Sequence, residues 1–183
     1  LLSDYSSNWR HNYKRSIKNN LIIEINNSPN KEETLELLNR FNKIKKKKLY
    51  PNLINDLFFY LKYFKKNIYH YECRFNHTLI SIRTIITINN KARDLFAISD
   101  EIARLKYANY NLIHFIFLNL IKKKIKLFDF SGVDIKNNKG VYNFKNGTGC
   151  SLINTNNEFI YTNRFYMKYI FILYLYFKRN KNV

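Results

Sequence analysis

A chain of 183 residues with 46% hydrophobic and 17% aromatic content is long enough for one ordinary domain with a buried core and too apolar to be disordered. Its 32 Lys+Arg against 13 Asp+Glu leave a formal charge of +19, which invites a polyanionic partner such as tRNA, rRNA, DNA or an anionic membrane. Lys, Asn, Ile, Phe and Tyr are also the residues an AT-rich genome over-uses, so codon drift accounts for part of that charge. Cys73 and Cys150 form no CxxC pair, which fits a reduced, intracellular, cytoplasmic chain. No secretory leader is expected, and a start at Leu1 rather than Met is what a fragment or an excised domain gives.

Asp4 to Asn20 reads as a basic helix, with Trp9, Tyr13 and Ile17 four residues apart and Arg10, Lys14, Arg15 and Lys18 alongside. A second helix starts near Pro29 with Glu32 and Glu33 in its first turn, an apolar face of Leu35, Leu38, Phe41 and Ile44, and Lys45 to Lys48 at its end. Asn52 to Lys65 is a third helix, entered through Pro51. The period then changes to that of strands at Ile68 to Phe75, Thr78 to Ile88 and Ala92 to Ile98. Asn76-His77 and Asn89-Asn90-Lys91 separate them as left-handed turns, so the three form an antiparallel meander. A long helix over Ile102 to Lys124, a strand Ile125 to Phe130, weaker strands near Tyr142 and Phe159, and a terminal helix Arg164 to Lys178 complete the chain. The terminal run FYMKYIFILYLYF is shorter than the roughly twenty residues that span a bilayer. It suits a packed helix or a membrane-surface helix, the latter favoured by the trailing Lys178, Arg179 and Lys181.

Two patterns bear on chemistry. His70, Cys73 and His77 lack the spacing and the fourth ligand of a zinc site, so no metal is expected. All four glycines fall between Gly132 and Gly149, directly after the strand that ends at Phe130. Glycine goes where the backbone needs a positive φ or a close approach, and a glycine-punctuated loop after a strand is where α/β folds place chemistry.

A meander, a long helix and then a strand resembles the order of the Gcn5-related N-acetyltransferase (GNAT) core. The fold class expected is therefore α/β (α+β), a mixed, mostly antiparallel GNAT-like sheet flanked by helices, as a single domain over residues 1–183. The stretch FDFSGVD followed by NNKGVYNFKNGTG resembles the signature of the Fem-type (FemABX) peptidoglycan aminoacyltransferases, where a strand ending in aromatic-Asp-aromatic-small-Gly precedes a GVY-aromatic-Lys-x-Gly segment. NWRHNYKRSIKNNL is similar to the basic helix that opens that family's second GNAT-like half. ARLKYANYNLIHFIF is similar to its central helix, with a Tyr-x-x-Tyr element at Tyr107 and Tyr110. Only the C-terminal of the family's two halves is represented.

The resemblance implies transfer of an amino acid from aminoacyl-tRNA, a co-substrate rather than a cofactor, to the amine of a lipid- or nucleotide-linked muropeptide precursor. Peripheral contact with the inner membrane surface goes with such a substrate. Phe144 and Lys145 match the family's Phe-Lys pair, which handles the tRNA end, and Gly132, Tyr142, Tyr107 and Tyr110 fall on substrate-binding positions.

The residues also speak for themselves. A transferase that uses acyl-CoA holds pyrophosphate on backbone N–H groups of an Arg/Gln-x-x-Gly-x-Gly/Ala loop opening a helix. None precedes Ile102, and Gly147-Thr148-Gly149 comes too late in the chain. Aminoacyl transfer needs a neutral amine, a polarised ester carbonyl and a held oxyanion. Lys145 is the candidate cation, against its reading as a solvated, exposed loop lysine. Asp129 and Asp134 bracket the strand exit and could steer or deprotonate an ammonium, while Asp134 also suits a turn former. Alternation turns Asp129 to the face opposite Phe128 and Phe130. Arg10, Lys14 and Arg15 could hold phosphates or form a solvated face. Two rivals remain: a GNAT-type N-acyltransferase of amino sugars or surface polysaccharide, and a basic RNA-binding protein without catalysis. The second would interleave aromatic and basic residues on one sheet face, where the meander offers mostly Ile and Thr.

Overall fold

The computed structural model describes residues 1–45, 52–153 and 164–180. They form two compact units, Leu1–Cys150 and Ser151–Val183. In chain order the first unit contains α1 (Ser7–Ile17), β1 (Ile22–Ile25), α2 (Lys31–Lys45), α3 (Leu53–Tyr63), β2 (Ile68–Phe75), β3 (Thr78–Ile88), β4 (Lys91–Ser99), α4 (Glu101–Leu105), α5 (Ala108–Lys122), β5 (Leu127–Asp129) and α6 (Lys139–Asn146). The described helix of the second unit is α7 (Phe165–Asn180). No described helix is long and apolar enough to cross a membrane.

The five strands form one sheet in sequence order, with every neighbouring pair antiparallel except the parallel β4 and β5. The hairpin turns use the asparagines as the sequence suggests. Asn76 and His77 both have positive φ, as does Asn89, and such turns match the right-handed twist of paired strands. One face of the sheet is covered by α1 and α5 over Tyr71, Cys73, Ile80, Ile85 and Ala92. The other is covered by α2 and α3, which bring Leu37, Leu38, Leu57 and Leu61 onto Ile68, Leu79, Ile82 and Ile98. His70 and Cys73, three positions apart on β2, therefore sit on opposite faces: His70 bonds Thr84, while Cys73 packs under α5.

Several elements differ from the sequence reading, each for a local reason. The helix expected over Ile102–Lys124 is broken in two. Asp100 caps α4 by accepting the Ala103 N–H, and Tyr107 then takes a left-handed φ of 56°, held by the Arg15 guanidinium 4.7 Å over its ring. The strand expected near Tyr142 is α6, whose Phe144 packs against the α1/α5 cluster and whose Lys145 reaches the carbonyls of Phe130 and Gly132. The four residues of β1 are too short to show a period, and only pairing with β2 makes them a strand. α2 does start next to Pro29, with Asn30 accepting from the Glu32 and Glu33 N–H groups, but its apolar face is turned from the one expected. Leu37 and Leu38 are buried, while Leu35 and Ile44 face solvent. The strand expected near Phe159 lies outside the described residues.

Candidate functional site

Parallel β4 and β5 pair over only three positions, Lys91 with Leu127 through Arg93 with Asp129. A bulge lies just beyond: Thr84 faces Phe96 and Ile85 faces Asp94, leaving Leu95 as the extra residue. From Asp94 to Ser99, β4 has no strand beside it on this edge among the described residues. Two parallel strands that part at their carboxyl ends leave a crevice, where open α/β sheets place ligands.

Arg83 of β3 and Asp94 of β4 form an ion pair on the crevice side, with side chains only 8% and 5% exposed. Asp94 Oδ1 and Arg83 Nε are buried without a hydrogen-bond partner, so the pair is less than fully satisfied. Burial pushes the Asp94 carboxyl above its usual range, opposed first by the Arg83 charge and then by Lys145. Lys145 reaches over from α6 and donates to the carbonyls of Phe130 and Gly132, both at 2.7 Å. Burial pulls its ammonium below the usual lysine range, opposed by Asp94 and reinforced by Arg83. The Lys145 carbonyl in turn accepts from Thr148 Oγ1 and Cys150 Sγ. An ammonium carries three donors, so one remains for a ligand.

An aromatic wall stands beside these charges. Phe144 lies 5.1 Å from Tyr110 of α5 and 6.1 Å from Trp9 of α1, and the Arg83 guanidinium sits 5.7 Å from its centroid. Trp9 is itself 4.0 Å from Tyr5 and 5.1 Å from Tyr110, with Tyr5 and Trp9 both buried. The end of the glycine window exists to admit this helix. A Cβ on Gly147 would stand 2.9 Å from Trp9 Cδ1, and Gly149, at φ +81°, would put one 2.8 Å from the Asp4 carbonyl. The close approach that glycine signals is thus made by the chain's own first turns.

The structure brings Lys145, Phe144, Gly132 and Tyr110 together, with Tyr107 and Arg15 stacked nearby. It corrects the expectation of an exposed loop lysine, because Lys145 is half-buried on a helix. Asp129 is exposed opposite Phe128 and Phe130 as alternation requires. It caps the Ser131 N–H and faces Arg93 at 3.5 Å. Asp134 is committed to its turn, accepting from Lys136 and Asn137, and the Asn137 N–H holds its carboxyl below the usual range. Arg10 donates to the Tyr5 and Ser3 carbonyls, Lys14 is exposed, and Tyr142 is half-buried on α6. Sequence reasoning missed Arg83 and Asp94. Their signal was a charge at an inward position of an otherwise apolar strand, in LISIRTIITI and ARDLFAIS.

No protein-family model matches the chain, and no curated protein does. Solved structures do. An aminoglycoside acetyltransferase from an uncultured soil metagenomic sample, in complex with sisomicin, aligns with a TM-score of 0.61 at 17% identity over 81% of this chain and 99% of its own. FemX aligns with a TM-score of 0.66 at 11% identity over 81% of this chain, which spans 55% of that protein. An N-acetyltransferase from Thermoplasma acidophilum in complex with coenzyme A aligns with a TM-score of 0.51 at 19% identity, over 68% of this chain and 88% of its own. The fold is that of the GNAT acetyltransferases, as the sequence resemblance implied.

Proposed function

We propose that this chain is an acyltransferase that uses the crevice between β4 and β5 to move an amino acid from aminoacyl-tRNA to the amine of a peptidoglycan precursor peptide. The observation that carries it is the Arg83–Asp94 pair with Lys145 above it: a buried carboxylate with one unpartnered oxygen beside a cation that has one donor to spare. Acyl transfer to an amine needs those two groups. The Asp94 oxygen takes a proton from the incoming ammonium, and a raised carboxyl pKa suits a base working near neutrality. The freed amine attacks the ester carbonyl, the C–O bond to the ribose breaks, and the ribose oxygen leaves with a proton. The third Lys145 N–H stabilises the oxyanion formed on the way.

The segment after β4 favours a donor without pyrophosphate. The α4 N-terminus is capped by the Asp100 carboxylate and carries Glu101 in its first turn, so negative charge stands where a diphosphate would seek N–H groups. The likeness to an aminoglycoside acetyltransferase supports a second reading, acyl transfer from acyl-CoA to an amino sugar.

Single-turnover transfer from aminoacyl-tRNA to a precursor peptide is the test. Lys145→Ala and Asp94→Asn should each slow it about a hundredfold, the usual scale for one transition-state contact, while Lys139→Ala leaves it unchanged. Equal losses at Lys145 and Lys139 would remove Lys145 from the site. Micromolar acetyl-CoA binding by calorimetry would transfer the assignment to the amino-sugar reading.

A further inference from the structure

The end of the sheet opposite the crevice has a composition of its own. Residues 57–71, 84–93 and 112–128 contain no Asp or Glu, and their turns meet there. The α3–β2 turn joins the others through Asn67, whose N–H donates to Phe64 and whose carbonyl accepts from Thr87 at the end of β3. The β3–β4 turn accepts Lys126 and Leu127, at the start of β5, on the Asn90 carbonyl. Lys123, at the end of α5, lies 4.4 Å over the Tyr69 ring of β2.

Lys65, Lys66, Lys91, Lys122, Lys124 and Lys126 are all exposed on these turns, and none of them makes an ion pair among the described residues. Between them stand exposed apolar side chains: Ile88 at 63%, Ile121 at 56%, Leu127 at 51% and Tyr63 at 62%. Lysines alone would suit any polyanion. Ile88, Ile121 and Leu127 decide the partner, because they gain by entering an acyl-chain boundary and give a nucleobase nothing to stack on, while the exposed rings of Tyr63 and Phe64 suit the headgroup margin equally well.

We infer that this lysine end docks the protein on an anionic lipid bilayer. The lysines meet the headgroup phosphates, and Ile88, Ile121 and Leu127 enter the interface. Ile88 and Leu127 begin or end strands, so no backbone rearrangement is needed to present them. The crevice lies at the other end of β4 and β5, away from this surface.

Co-sedimentation of the full chain with vesicles tests it. Binding is expected to vesicles of phosphatidylcholine with one-third phosphatidylglycerol, not to phosphatidylcholine alone, and should weaken in 0.5 M salt. Lys122→Glu with Lys124→Glu should lower the partition coefficient at least about twentyfold, since each lysine near such a surface contributes roughly a fivefold factor. These residues are exposed, so the far-UV circular dichroism spectrum should not change. Ile88→Ser, a second and milder variant, should weaken binding severalfold at high salt, where insertion rather than charge carries what remains. Unchanged vesicle binding in the lysine variant would overturn the assignment and place membrane contact elsewhere in the chain. So would vesicles that fail to bind at a salt concentration where a single-stranded RNA oligomer binds and the same lysines are needed.

Discussion

Two buried histidines and a lysine show how far a residue's role depends on what surrounds it. His70 is fully buried on β2, its Nδ1 bonded to Thr84 Oγ1 at 2.7 Å and its Nε2 without a hydrogen-bond partner. Glu72 lies 3.9 Å from that nitrogen, too far to bond, and its carboxylate is already engaged by Arg74 and Asn26. Burial therefore wins, and the imidazole is pulled down to about 4. His114, the second, is also pulled below the usual range by burial while it bonds Tyr5. The sign is that of a base with a depressed folded pKa. Above 6.5 both states are neutral, and between 6.5 and about 4 only the unfolded chain takes the proton, so stability falls as pH falls. Chemical denaturation should lose about 3 kcal/mol between pH 7 and pH 4 through His70 alone. A His70→Gln chain, compared at the same two pH values, should lose that much less. An unaltered pH dependence in that variant would show that His70 is not held neutral. Lys145 should also contribute to stability. Lys145→Ala removes charged hydrogen bonds to two carbonyls and should cost about 1 to 2 kcal/mol in a denaturant titration, which an exposed loop lysine would not.

At the scale of elements, the three long strands and the hairpin turns were legible because β-branched alternation and asparagine turns are local signals. The break at Tyr107 was not legible, because a tyrosine at positive φ is stabilised by Arg15 from another helix and leaves no local trace. Nor was α6: one turn of Gly, Val and Tyr looks extended until Phe144 and Lys145 are seen on one side of it. The glycines were legible as a place of close approach, but not as to what approaches. That distinction can be measured. Gly149→Ala forces a positive φ on a Cβ-bearing residue and a contact with Asp4, and should destabilise by about 1 to 2 kcal/mol. Gly140→Ala, in open space within α6, should stabilise by up to about 1 kcal/mol. Thermal melts of the two variants that shifted the same way would contradict the docking of the first turns against Gly149.

Across the first unit, one sheet separates two apolar clusters, and both the crevice and its aromatic wall lie on the α1/α5 side. The pairing of Arg83 with Asp94 was invisible in sequence because the two residues are eleven positions apart and meet only when the β3–β4 bulge aligns them. If the sheet couples its faces, the site's integrity depends on packing it never touches. Trp9 is the chain's single tryptophan and is 2% exposed in the crevice wall, so its fluorescence reports the site alone. Leu57 is fully buried on the opposite face, against α2 and the far side of the sheet. Leu57→Ala removes buried methyl groups and leaves a cavity, a loss of about 2 to 5 kcal/mol. In a cooperative unit that loss must appear at Trp9, as a lower urea midpoint of its fluorescence with an unchanged slope. Ile113→Ala, beneath the crevice on the α5 side, should lower the same midpoint by a similar amount. A Trp9 midpoint that responds to Ile113→Ala but ignores Leu57→Ala would mean that the two faces unfold separately. The crevice would then have to hold its geometry without the α2/α3 layer.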